Sequence, residues 1–166
     1  MQDVMDTMVT YPLHLLYDSA CPVCRLEMHE LAARDVHGRL RLVDIAAPGF
    51  DPTPWGATLE AMNARTHAVD AAGVTTIGVA ALRLAYAAVG LGAWFEPTRW
   101  PLLAPLFEAG YSRFARHRYA IGRAARPLID AIAARRASRR AASVHARMRA
   151  CAEGACDITP HGRSPS

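Results

Sequence analysis

Two cysteines three positions apart, Cys21 and Cys24, stand between an apolar run, Leu13-His14-Leu15-Leu16-Tyr17, and an amphipathic segment that opens at Pro22. The apolar run reads as a short buried strand. Pro22 supplies the fixed φ of a first helical position and forfeits only an N–H that the helix leaves unpaired in any case. The pair therefore falls where a strand turns into a helix. There the first sulfur faces the partial positive charge of the unsatisfied N–H groups of the opening turn, which favours its thiolate. Two sulfurs at this spacing can close a small ring, so the pair can cycle between dithiol and disulfide.

The residues behind the pair set the frame around it. Cys24, Met28 and Leu31 lie on one helical stripe, with Arg25, His29 and the Glu30/Arg34 pair on the wet side, and Gly38 is expected to end the helix. Arg39-Leu40-Arg41-Leu42-Val43-Asp44-Ile45 alternates as a second strand, and a helix between two strands makes their parallel pairing the natural connection. Residues 46–53 read as loop, and Thr53-Pro54 as the cap of a short helix reaching about Asn63. Arg65 to Asp70 and Val74 to Ile77 flank Ala71-Ala72-Gly73 as a hairpin, and a helix from Gly78 to about Val89 follows. The order β-α-β-α-β-β-α, with a dithiol at the start of the first helix, resembles a minimal thioredoxin-like α/β domain.

Length and composition limit what else the chain can hold. At 166 residues and 52% hydrophobic, it suits one domain with an appendage. We divide it into an amino-terminal tail over 1–12, a domain with a helical extension over 13–122, and an Arg/Ala-rich basic helix or tail over 123–166. The extension opens at Glu96-Pro97-Thr98 and carries Trp100, Leu103, Leu106, Phe107, Tyr111 and Phe114, too apolar for a solvated linker, so it is expected to pack back on the domain. All 19 basic residues are Arg. The stretch from Val74 to Phe95 is as long as a membrane span, but Arg83 in its middle makes a buried helix plus loop the better reading. The first eight residues carry acids where a secretory leader carries positive charge, so a cytoplasmic protein is expected. In that setting cysteines serve catalysis or metal binding more often than structural bridges.

Asp18-Ser19-Ala20-Cys21-Pro22-Val23-Cys24, followed by the strand Arg39 to Ile45, resembles the DCC family of thiol-disulfide oxidoreductases, named for its Asp-Cys-Cys pattern. Further likeness lies in His67-Ala68-Val69-Asp70-Ala71-Ala72-Gly73, in Gly78-Val79-Ala80-Ala81-Leu82 and in the Tyr-x-x-x-Ala-x-x-Arg close from Tyr111 to Arg118. The resemblance covers about Leu13 to Arg123. It implies a thioredoxin-like fold and a cofactor-free exchange of thiol and disulfide. Two departures stand out: Ser19 replaces the family's usual Gly, and no Pro precedes the strand at Val74-Thr75-Thr76, where thioredoxin carries a cis-Pro facing its disulfide.

Each candidate residue has a functional and a plainer reading. Cys21, expected to be exposed at the helix start, is the candidate nucleophile, with Cys24 one turn deeper as the resolving thiol. The pair could instead be half of a metal site or inert packing. Asp18 either relays a proton to or from Cys24 or shapes the loop through an Asx-turn. Cys151 and Cys156 near the carboxyl end could exchange with the first pair, close their own loop, complete a four-thiolate zinc site, or have no fixed role. The seven His fall at no metal-ligand spacing.

The sequence thus points to a reductase of protein or small-molecule disulfides that draws on a thiol electron donor, with no cofactor. The alternative is a non-catalytic thioredoxin-like scaffold or zinc-binding protein whose basic tail contacts a partner, nucleic acid or a membrane surface. The tail lacks interleaved aromatic residues, so nucleic acid is not expected as a partner, and membrane-surface contact is the lesser expectation.

Overall fold

A computed structural model describes residues 9–152. Four strands, β1 (Leu13–Tyr17), β2 (Leu40–Asp44), β3 (His67–Val69) and β4 (Thr75–Ile77), form one sheet in the order β2-β1-β3-β4. β1 pairs in parallel with β2, Leu15 opposite Leu42, across the helix α1 (Pro22–Arg34). β3 runs antiparallel to β1, with Leu16 opposite His67, and β4 closes the hairpin with His67 opposite Ile77. The helices α2 (Leu59–Ala64) and α3 (Val79–Ala88) follow the second and fourth strands. This is the thioredoxin-like α/β arrangement, a parallel βαβ half joined to an antiparallel ββα half.

The central strand places its side chains on both sheet faces, as the period of two requires. Leu13 and Leu15 point to one side, where Met28 and Leu31 of α1 and Ala81, Ala85 and Ala88 of α3 complete the larger core. Leu16 points to the other, against Ile45 and Met62, with Val43, Phe50, Trp55 and Val69 around them. Burying Leu13, Leu15 and Leu16 completely stabilises the fold by roughly 1.5–3 kcal/mol each. β1 is therefore a rigid base, and its carboxyl end delivers the chain into the dithiol loop.

Several boundaries differ from the sequence expectation, each for a local reason. α1 stops at Arg34, short of Gly38, because the Asp35 carboxylate accepts the backbone N–H groups of Arg39 and Leu40, both at 2.9 Å, and draws the chain out of the helix toward β2. The helix expected from Thr53 splits into a 3-10 turn, Thr53–Trp55, and α2. Gly56 turns left-handed at φ 66° between them, and the Thr58 hydroxyl caps α2 by accepting the Ala61 N–H. The hairpin turn forms as expected, with Gly73 at φ 82° and the Asp70 carboxylate accepting from Ala72 and Val74 N–H.

The segment from Val74 to Phe95 resolves into β4, α3 and the start of a 3-10 helix, Gly92–Arg99. No helix among the described residues is long and apolar enough to cross a membrane. The extension packs back only in part. Thr98 is buried and Leu103, Tyr111 and Phe114 are half-buried, while Trp100, Leu102, Leu106 and Phe107 stay exposed.

A long helix, α4 (Ala104–Ala152), follows. The chain divides into two units, Met1–Arg126 and Pro127–Ser166. The first holds the sheet and the dithiol; the described part of the second is helical to Ala152. The second cysteine pair, Cys151 and Cys156, lies outside the residues whose side chains are described.

Candidate dithiol site

Cys21 is the N-cap of α1. Its backbone is extended, its carbonyl accepts the Arg25 N–H at 2.9 Å, and its sulfur accepts the Cys24 N–H at 3.3 Å. The two sulfurs stand 2.6 Å apart, within reach of bond formation, and both cysteines are free thiols. Cys21 Sγ thus has a backbone donor turned toward it, which favours negative charge there. That asymmetry separates their proton affinities. Cys21 is lowered from 9.0 to about 6, chiefly by the S–H of Cys24, against the opposing cost of burial, with further help from the Cys24 and Val23 N–H groups and the Arg118 charge. Cys24 is raised by the hydrogen bond it gives Cys21, by burial and by the Cys21 charge. At pH 7 a thiol with a pKa about one unit lower is roughly nine-tenths ionised. Of the two sulfurs, Cys21 is the one on which the anion is favoured.

The loop before the helix is fixed by two carboxylates. Asp18 Oδ1 accepts the Ala20 N–H at 2.8 Å, an Asx-turn, while the Asp18 carbonyl accepts the Cys21 N–H at 3.2 Å. Asp44, at the end of β2, accepts the N–H groups of Ser19 at 3.1 Å and Ala46 at 3.0 Å through one oxygen. No residue other than glycine takes a positive φ among the described residues, so Ser19 sits in the loop in ordinary backbone.

Asp18 Oδ2 is engaged by α4. It accepts from Arg118 Nη2 at 2.9 Å and from the Tyr119 hydroxyl, with both Asp18 and Arg118 buried. The same Nη2 reaches Asn63 Oδ1 at 3.2 Å and Tyr119 Oη at 3.1 Å, while Arg118 Nε has no hydrogen-bond partner among the described residues. One helical turn on, Gly122 is buried against Pro22, and a Cβ at Gly122 would stand 2.9 Å from Pro22 Cδ. α4 therefore touches the dithiol loop on both sides of Cys21.

This cover corrects the expected exposure of Cys21, which is 0% exposed, while Cys24 is partly exposed. A helix start is open only when nothing crosses it, and here a distant helix does. The residues that sequence reasoning left without a role are Arg118, Tyr119, Gly122 and Asn63. Arg118 did leave a signal, as the last residue of the Tyr-x-x-x-Ala-x-x-Arg close.

The approach to β3, beside the end of β1, carries no Pro, and its backbone is engaged within the chain. The Thr66 N–H donates to the Tyr111 hydroxyl at 2.6 Å and its carbonyl accepts the Gly78 N–H at 2.8 Å. Among the described residues, no group of three or more His, Cys, Asp or Glu could hold a metal ion.

A four-stranded thioredoxin-like sheet with a Cys-x-x-Cys pair at the start of its first helix defines a dithiol protein of the thioredoxin-like class. The chain belongs to the DCC1-like thiol-disulfide oxidoreductase family, whose pattern matches residues 15–124. A curated relative from Arabidopsis thaliana, named "Uncharacterized protein At5g50100, chloroplastic", is 31% identical over 124 residues, 74% of this chain and 57% of the relative. The chain thus spans little more than half of that relative's length. No solved structure gives a significant match.

Proposed function

We propose that the protein exchanges thiol and disulfide through Cys21 and Cys24, without a cofactor and in the direction of disulfide reduction. The observation that carries this reading is the pair of free sulfurs held 2.6 Å apart at the start of α1, with Cys21 lowered and Cys24 raised from the ordinary thiol value. The Cys21 thiolate attacks one sulfur of a substrate disulfide, forming a mixed disulfide and releasing the other substrate sulfur as a thiolate. Cys24 then bonds to Cys21, the mixed disulfide breaks, and the remaining substrate half leaves as a thiol with the proton of Cys24. Two electrons pass to the substrate, and an external thiol donor returns the pair to the dithiol. Asp18 serves this chemistry by shaping the loop and anchoring Arg118.

The buried Cys21 adds a condition: a disulfide reaches it only when the residues around it move, and α4, in contact with Asp18 and Pro22, is the element expected to yield. A reducing compartment of cytoplasmic type fits this direction of exchange, and the chloroplast of the named relative is a second setting in which the same chemistry could run. The test is mass spectrometry of Cys24→Ser, carrying Cys151→Ser and Cys156→Ser, incubated with glutathione disulfide. A single adduct on Cys21 is expected, and its absence while the protein stays folded would overturn the exchange reading.

A further inference from the structure

We propose that Arg118 is the positioning residue of the dithiol: clamped by Asp18, it is the counter-charge for the sulfur anion as that anion passes from Cys21 to Cys24. The inference deepens the exchange reading and rests on it for the resolving step. Three geometric facts support it. The guanidinium is buried, its side chain 8% exposed, and it is tied to the dithiol loop itself, since its partner Asp18 also accepts the Cys21 backbone N–H through its carbonyl. Nη2 is shared among Asp18, Asn63 and Tyr119, whereas Nε is left over. A buried donor without an acceptor is costly, and a site that hosts a negative charge for part of a cycle is one place where it is kept.

The charged and titratable groups around the sulfurs are few. Among the described residues they include the cysteines themselves and Arg25 on the start of α1, Asp18 in the loop, Asp44 at the end of β2, Tyr17 on β1, and Arg118 and Tyr119 on α4. Of these, Arg118 is buried and favours the anion of either cysteine, and Asp18 opposes that of Cys24. While Cys21 is a thiolate, its charge holds the proton on Cys24. Once Cys21 is bonded to the substrate sulfur that charge is gone, and Arg118 remains to stabilise the negative charge building on Cys24. The Cys21–Cys24 bond forms, the bond from Cys21 to the substrate breaks, and the substrate half departs as a thiol carrying the Cys24 proton.

The test uses the full chain with Cys151→Ser and Cys156→Ser, and two readouts. The first is the pH midpoint of Cys21 alkylation by iodoacetamide, which needs no disulfide. The second is the release of coloured thiolate from a nitroaromatic disulfide, one equivalent on attack and a second on resolution. Arg118→Met is expected to raise the midpoint by about one pH unit and to slow the second release about tenfold, and Arg118→Lys to restore most of both. A folded Arg118→Met protein with an unchanged midpoint and an unchanged second release overturns the proposal, because a merely structural role would lower stability and leave both in place. Should Arg118→Met fail to fold, Asp18→Asn/Arg118→Gln removes both buried charges together; a raised midpoint supports the proposal and an unchanged one overturns it. Loss of the second release in the parent protein would count against the exchange reading, while the alkylation midpoint would still decide the role of Arg118.

Discussion

Asp18 Oδ2 and Arg118 Nη2 lie 2.9 Å apart with their side chains 2% and 8% exposed, so the loop that presents the dithiol is bound to a helix that begins some eighty residues later in the chain. Breaking such a pair from one side leaves a buried charge uncompensated, which costs roughly 3–5 kcal/mol. Arg118→Met is expected to lose stability on that scale. Asp18→Asn/Arg118→Gln is expected to lose less than Arg118→Met alone, because no charge is left stranded. Urea unfolding of the parent, Asp18→Asn, Arg118→Gln, Arg118→Met and the double variant measures this, and a double variant as unstable as the sum of Asp18→Asn and Arg118→Gln would show that the two residues act independently.

The pH dependence of stability follows from the two sulfurs. Cys21 has a folded value of about 6 against 9.0 for a free thiol. Its contribution is therefore fully present above pH 9 and lost as the pH falls toward 6. Cys24 is raised, so the folded state holds its proton more tightly and that contribution fades above pH 9. The reduced protein is expected to gain stability from pH 6 to about 9 and lose it beyond, relative to Cys21→Ala/Cys24→Ala measured over the same range. Parallel curves for the two proteins would mean that the sulfurs do not share a proton as described.

Gly122 lets α4 close on Pro22. Because an added Cβ would stand 2.9 Å from Pro22 Cδ, part of a proline ring with little freedom to yield, Gly122→Ala is expected to cost about 1–3 kcal/mol. It should also speed alkylation of Cys21 at pH 8 by loosening the cover. Slower or unchanged alkylation would mean that this contact does not limit access.

Tyr111→Phe removes the acceptor of the Thr66 N–H beside the site. An unsatisfied backbone donor of this kind costs about 1–3 kcal/mol. Thermal unfolding checks the loss, and a melting temperature equal to that of the parent would show that water or another group takes the place of the hydroxyl.

The parts of this fold that were legible in the sequence are those set by neighbours along the chain. The apolar β1, Pro22 at the first helical position and Gly73 in the hairpin all carry their instructions locally, and the strand–dithiol–helix unit follows from them. The errors arose where side chains compete with such signals: Asp35 ends α1 before Gly38 can, and Gly56 with Thr58 divides a helix that Thr53-Pro54 announced. The cover over Cys21 is illegible for a different reason. It depends on Arg118 and Gly122, which say nothing about the dithiol until the chain is folded. Exposed Trp100 and Leu106 likewise show that apolar composition in the extension did not translate fully into burial.

The direct test of the site is the pH dependence of Cys21 alkylation in the reduced chain with Cys151→Ser and Cys156→Ser, followed by mass spectrometry of the Cys21 peptide. The hydrogen bond from Cys24 and the nearby Arg118 charge predict a midpoint of about 6, with Cys24 unmodified through neutral pH. A midpoint near that of a free thiol, or modification of Cys24 ahead of Cys21, would contradict the assignment of Cys21 as the nucleophile.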